Sequence, residues 1–284
     1  MALFDDRQCA LGEGPFWHPE RQQFFWFDII GKKLLSRVRD VALEWSFDEY
    51  VSAAGWITPS VLLIASETKL FTFDVDTKAT KDVIALEADN PVTRSNDGRA
   101  DPKGGFWIGT MGKAAEPGAG AIYRYCKGEL HKLFPNITIP NSICFAPDGS
   151  KAYYCDTITS QIMVTALDDE GWPIGSSDVF VDLRQDGLNP DGSVTDAAGN
   201  LWNAQWGASR VAAYSPDGQL VQTVNFPARH TSCPAIGGPK MNTLYCTTAQ
   251  EHLTPETIAK EPANGQTFWA AVEVKGWREP RVNL

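Results

Sequence analysis

The chain has 284 residues, 43% of them apolar and 21% charged, with a net charge of −10 and a pI near 4.9. That balance excludes a disordered chain, and its acidity excludes nucleic acid, whose phosphates demand a basic face. The longest apolar run, Ser60–Ser66, falls far short of the roughly 20 residues that cross a bilayer, which sets a membrane partner aside.

The first residues, Met1-Ala-Leu-Phe-Asp-Asp-Arg7, contain no basic segment leading into an apolar one, so cytoplasmic residence is expected. Aromatic and β-branched runs punctuated by Pro, Gly, Asp and Asn then recur along the chain with almost no helical period, which reads as all-β. After a strand expected near Leu3–Cys9, Glu13 opens a pattern with Pro19 six positions on and Phe24 eleven on. A fainter copy starts at Ala53, with Pro59 six on. The copies starting at Asn96 and Asp191 agree closely: Asp101 and Asp196 stand five on, Gly104 and Gly199 eight on, Trp107 and Trp202 eleven on. Asn141 opens another, with Pro147 and Gly149 in register before the strand Ala152–Cys155, and Cys233 opens the last, with Gly238, Pro239 and Leu244.

The starts are spaced by 40, 43, 45, 50 and 42 residues, the size of a four-stranded propeller blade. The expectation is one domain over residues 1–284, a six-bladed β-propeller with a central metal site. A β-sandwich comes second because it gives no such period. Unpaired strand edges would be left unless the ring closes, so the strand near Leu3–Cys9 is predicted to pair with the C-terminal blade. Six cysteines without a C-x-x-C pair suggest reduced, mostly buried thiols.

In a propeller the first residue of each repeat points toward the shared axis. Four of those six, Glu13, Asn96, Asn141 and Asp191, carry side-chain oxygen, and such a ring suits a hard cation such as Ca²⁺, Mg²⁺ or Mn²⁺. Zn²⁺ usually recruits His or Cys. Each residue also has a local reading: Asn96-Asp-Gly and Pro190-Asp-Gly are turn sequences, and Asn141 after Pro140 can cap a strand. Two carboxylates crowded in one tunnel, however, repel each other unless a cation sits between them.

The segments Leu-Gly-Glu13-Gly-Pro, Arg94-Ser-Asn96-Asp-Gly, Ile-Pro-Asn141-Ser and Asn-Pro-Asp191-Gly-Ser resemble the regucalcin and gluconolactonase family of sugar lactonases, and its bacterial sugar-acid lactonase branch most. Gly109-Thr-Met-Gly112, Gly120-Ala-Ile-Tyr123 and the stretch from Gly237 to Ala249 extend the likeness over nearly the whole chain. The resemblance implies a divalent ion, Ca²⁺ foremost with Zn²⁺, Mn²⁺, Mg²⁺ and Fe²⁺ as alternatives, held by Glu13, Asn141 and Asp191. It places Asn96 beside the metal or on the substrate, Arg94 on substrate oxygens, and Glu116 in a loop reaching the sugar hydroxyls, with a surface carboxylate as its alternative. The family's Pro-Asn-Gly becomes Pro140-Asn141-Ser142 in this chain.

Opening a lactone needs a polarised carbonyl, an activated water and a stabilised oxyanion. Asp191 is the expected general base, because a carboxylate beside the metal still accepts a proton from water. No G-x-S-x-G elbow is present and the four histidines form no metalloprotease motif. His18 is expected to be structural, and Trp206 to pack rather than to line the pocket mouth. The rivals are a non-catalytic calcium-binding regulatory protein of regucalcin type, an interaction propeller, and a propeller esterase related to paraoxonases. The sequence leaves the preferred lactone and the oligomeric state open.

Overall fold

The computed structural model describes all 284 residues, Met1–Leu284. Its strands form six four-stranded antiparallel sheets, and in five of them the strand order follows the chain. Counted from the first complete sheet, the innermost strands of blades 1 to 6 are Gly12–His18, Val51–Trp56, Thr93–Ala100, Pro140–Phe145, Asn189–Thr195 and Thr231–Gly237. The sixth sheet is composite: Ala2–Asp5 pairs with Thr267–Ala271 as its outermost strand, Leu3 lying opposite Phe268. This is a six-bladed β-propeller. Its one α-helix, Pro255–Lys260, is far too short to cross a membrane.

Both faces of a blade meet a neighbour, so the strands are not simply half-buried. Inner strands such as Thr93–Ala100 are buried at every position, whereas outer ones such as Leu220–Asn225 are almost wholly exposed. The apolar core is correspondingly split into six clusters, one in each gap between neighbouring blades. The largest joins Phe16, Phe25 and Leu34 of blade 1 to Val51, Leu62 and Ile64 of blade 2. The gap between blades 6 and 1 holds Trp17, Phe24 and Trp26 against Ala235 and Tyr245.

Every inner strand carries a register shift near its start, where it gains one residue over its partner. Such a bulge bends a strand and re-aims its side chains. The repeat starts lie at these irregularities. Asn96-Asp97-Gly98 and Pro190-Asp191-Gly192 are therefore bulged strand and not the turns that their composition also allowed.

The true turns come five residues later, where a side-chain acceptor caps the hairpin. Asp101 Oδ1 accepts from the N–H groups of Lys103 and Gly105, and Asp196 Oδ1 from those of Ala198 and Asn200. His18 does the same in blade 1: its Nδ1 accepts from Glu20 and Arg21, and its Nε2–H donates to the Thr58 carbonyl. Burial lowers its pKa, in keeping with that neutral, structural imidazole. All six cysteines are free thiols, and five of them are buried.

The C-terminal segment crosses from blade to blade. Lys275 accepts at its carbonyl from Ala197 N–H, Trp277 Nε1 donates to Thr195 Oγ1, and Trp56 Nε1 donates to the Glu279 carbonyl. Val282 and Asn283 then donate their amides to Trp56 and Gly104. Gly55 makes room for this tail, since a Cβ there would lie 2.5 Å from Val282 Cγ2.

Candidate active site

The bulged starts of blades 1, 3, 4 and 5 converge on a cavity of about 420 Å³, within the usual range for a small-molecule site. Glu13, Arg94, Asn96, Asn141 and Asp191 all line it.

Glu13 is 4% exposed and follows the strand into Gly14, whose φ of +52° and close approach to the Ser52 carbonyl leave no room for a side chain. The only hydrogen bond to its carboxylate is a 3.2 Å contact from Gly14 N–H. Burial, then repulsion from Asp97, pushes the Glu13 pKa up to about 8. Asp191 is 5% exposed, and its carboxyl is also raised well above the ordinary range, first by burial and next by Glu13. No side chain donates to the Asp191 carboxylate, although its main-chain carbonyl accepts from Ser142 Oγ at 2.6 Å and from Asn203 Nδ2 at 3.0 Å.

Asn141 is held by two bonds. Its Oδ1 accepts from Asn96 Nδ2 at 3.0 Å and its Nδ2 donates to Thr157 Oγ1 at 2.9 Å. Ser142 takes the left-handed φ of +58°, a conformation that favours glycine, and spends its hydroxyl on the Asp191 backbone. Arg94 is 6% exposed, and its Nη1 donates to Ser95 O and Asn96 Oδ1. Burial works against the Arg94 charge, which the Glu251 and Glu13 carboxylates favour.

Glu116 is not among the residues lining the cavity. Its carboxylate accepts from Ala114 N–H at 3.1 Å and so holds the loop whose neighbours Lys113, Ala114 and Ala115 form part of the wall. Trp206 packs against the core cluster between blades 1 and 2, as expected, and also lines the cavity, with its ring stacked 4.1 Å from His230. Lys113, Thr157, Glu251 and His252 also face it and carried no signal, because they sit in connections outside the repeat's first position. Asp97 is a further addition: fully buried, it accepts from Ile143 N–H at 2.7 Å and stitches blade 3 to blade 4. Burial raises its pKa to about 6, against the lowering effect of that bond.

Residues 11–250 match the family model described as the SMP-30/gluconolactonase/LRE-like region. The chain belongs to this family. Over its full length this family member resembles the crystal structure of a calcium-binding protein, regucalcin, from Agrobacterium tumefaciens, with a TM-score of 0.97, 41% identity and 97% of that chain covered. It is also 35% identical to an L-arabinolactonase of Azospirillum brasilense over 98% of this chain and 94% of that protein. A 6-deoxy-6-sulfogluconolactonase of Pseudomonas putida is 30% identical, with 95% and 94% covered.

The donor set can be tested for a cation from this chain alone. No three His, Cys, Asp or Glu side chains cluster as a metal site, so a purely anionic or thiolate cage is absent. What converges is two carboxylates without protein cations bonded to them and an amide oxygen with a lone pair to spare. That set of hard oxygens fits a divalent ion of the Ca²⁺, Mg²⁺ or Mn²⁺ kind.

Proposed function

We propose that the protein hydrolyses the ring ester of a sugar lactone to the free sugar acid, with a divalent cation at Glu13, Asn141 and Asp191. One observation carries the reading: two buried carboxylates repel each other in a sugar-sized cavity, and neither accepts a hydrogen bond from any side chain of the protein. The names of the relatives, an L-arabinolactonase and a 6-deoxy-6-sulfogluconolactonase, support the substrate class. The likeness to the calcium-binding regucalcin of Agrobacterium tumefaciens supports calcium as the first ion to try.

When bound, the cation would polarise the lactone carbonyl and stabilise the charge that develops on its oxygen. The chain's own part is positional and acid–base. Asp191 accepts a proton from water as the water oxygen attacks the carbonyl carbon, and returns it to the ring oxygen as the C–O bond breaks. Arg94 and Asn96 orient the sugar hydroxyls, and the N–H groups of Arg94 other than Nη1 have no protein acceptor to compete. Leu11, Met111, Ile139 and Trp206 give the apolar walls on which a sugar ring can rest. Glu116 acts indirectly here, by shaping the Lys113–Ala115 wall.

The test is hydrolysis of a panel of five- and six-membered aldonolactones after chelation and after return of Ca²⁺, Mn²⁺, Mg²⁺, Zn²⁺ or Fe²⁺. Full activity in the chelated enzyme would remove the cation from the reading. Metal binding without turnover of any lactone would favour the calcium-binding regulatory alternative. We further propose that residues 1–284 form one cooperative domain, closed by Ala2–Asp5. Deleting the first nine residues should lower the melting temperature of the entire β-sheet signal, and unchanged melting would count against that closure.

A further inference from the structure

Four hydrogen bonds run across the mouth of the tunnel, and all point the same way. Arg94 Nη1 donates to Asn96 Oδ1 at 2.8 Å, and Asn96 Nδ2 donates to Asn141 Oδ1 at 3.0 Å. Asn141 Nδ2 donates to Thr157 Oγ1 at 2.9 Å, and Thr157 Oγ1 donates to the Pro190 carbonyl at 2.8 Å. The series begins on a residue that can only donate and ends on a carbonyl that can only accept. Its direction is thereby fixed at both ends.

That direction decides what Asn141 shows to the cavity. An amide has one donating and one accepting side, and swapping them changes little in shape. Thr157 fixes the choice on one side and Asn96 on the other. The single hydroxyl hydrogen of Thr157 is committed to Pro190, so toward Asn141 it can only accept, and Asn141 must turn its nitrogen to Thr157 and its oxygen inward. The second hydrogen of the Asn96 amide is held by the Pro140 carbonyl, which leaves Asn96 no freedom to reverse the order. Asn141 Oδ1 receives one bond and keeps a lone pair. The same hydroxyl ties blade 4, which carries Asn141, to blade 5 at the residue immediately before Asp191.

We propose that Thr157 is a positioning residue of this site: by orienting Asn141 and anchoring the strand of Asp191, its hydroxyl sets the distance and polarity between two of the oxygen donors that face the cation. It rests on the proposed binding of a divalent cation at Glu13, Asn141 and Asp191. Thr157 sits in the short 3₁₀ turn Thr157–Thr159, lines the cavity and touches no reacting atom in the mechanism above. Ser142 makes the parallel tie one residue along, from its hydroxyl to the Asp191 carbonyl. The difference is that Ser142 shares that carbonyl with Asn203, whereas Thr157 is the only side-chain partner of Asn141 Nδ2.

The experiment measures Mn²⁺ binding to the full-length, chelator-stripped protein by titration calorimetry and by the electron spin resonance of free Mn²⁺. Thr157→Val keeps the shape and removes the hydroxyl. Its Mn²⁺ affinity should fall by about 10- to 100-fold, the range known for outer-shell partners of metal ligands. Thr157→Ser should restore the wild-type affinity to within a few-fold, and all three metal-free proteins should fold, with Thr157→Val melting only a few degrees lower, as the loss of about one hydrogen bond requires. Should Thr157→Val fail to fold, Thr157→Ala carries the same test. Wild-type affinity in a folded hydroxyl-less variant, or a serine variant as weak as valine, overturns the role of Thr157 alone. Absence of Mn²⁺, Ca²⁺ or Mg²⁺ binding by the wild-type protein overturns the cation reading and this inference together.

Discussion

Two groups of buried charges occupy the inner strands, and the protein treats them oppositely. At the strand starts, Glu13 and Asp191 face each other with no cation bonded to either carboxylate. Further along the same strands, Arg99 lies beside Cys144, Phe145, Val194 and Thr195, where Nη1 meets both carboxylate oxygens of Glu279 at 3.0 and 2.9 Å. The second group is neutralised within the chain, because the C-terminal segment brings the Glu279 carboxylate to Arg99 Nη1. An ion pair of that kind, buried at its guanidinium and largely shielded at its carboxylate, is a structural closure, since each charge is matched where it loses water. The first group is left open on the side of the cavity, and an unmatched pair of like charges is what a binding site for a cation requires before the cation arrives. Burial alone does not mark a functional carboxylate; burial without a cationic partner does.

Substitutions at the open end should have the largest consequence for activity. Asp191→Ala and Glu13→Ala are each expected to lower lactone hydrolysis by about 10³-fold or more, on the scale of removing an acid–base group together with a ligand. Their β-sheet circular dichroism should be unchanged, and near-full activity in either would dissolve the contrast between the two ends. At the closed end the loss should be in stability. Arg99→Met, which strands Glu279, is expected to cost about 3–5 kcal/mol in denaturant unfolding, and the double change Arg99→Met, Glu279→Leu to recover most of it. Equal losses in the single and double variants would mean that the pair is not the unit.

The sharpest comparison is one of sign. Glu13→Gln removes half of a repulsive pair, so the metal-free protein should become more stable near pH 8, by about 1–3 kcal/mol. Glu279→Gln should do the reverse. The pH dependence follows from the same asymmetry. A carboxyl raised from about 4.5 to about 8 binds its proton more tightly in the folded state. Its favourable contribution is present at low pH and is lost as pH rises through that interval. Chelated protein should accordingly melt lower at pH 8 than at pH 5. Added Ca²⁺ or Mn²⁺ should close the gap, since binding to deprotonated ligands strengthens with pH. A melting temperature independent of chelator at pH 8 would leave the open end without its cation.

Much of this molecule could be read from its one-dimensional pattern. The repeat spacing, the turn residues and the oxygen-bearing first positions Glu13, Asn96, Asn141 and Asp191 are all local features that recur, and recurrence at one period requires equivalent places in one ring. His18 stayed in its turn for an equally local reason, as it caps backbone amides two and three residues away. Lys113, Thr157, Glu251 and His252 were not legible, because they sit in connections whose path over the cavity has no period. Asp97 hid inside a sequence that suits a turn, until the bulge in Thr93–Ala100 turned it toward Ile143 of the next blade.

The sequence by itself determined that the chain is a ring of six like units and which oxygens stand at the head of each, since alternation, turn chemistry and period act between near neighbours along the chain. Only the tertiary structure decided which of those carboxylates are left without a side-chain partner, where Arg99 finds Glu279, and how Asn96 and Thr157 together orient Asn141. Those outcomes depend on contacts between blades tens to hundreds of residues apart. Desolvation and charge pairing arise only once such distant groups are brought to one place.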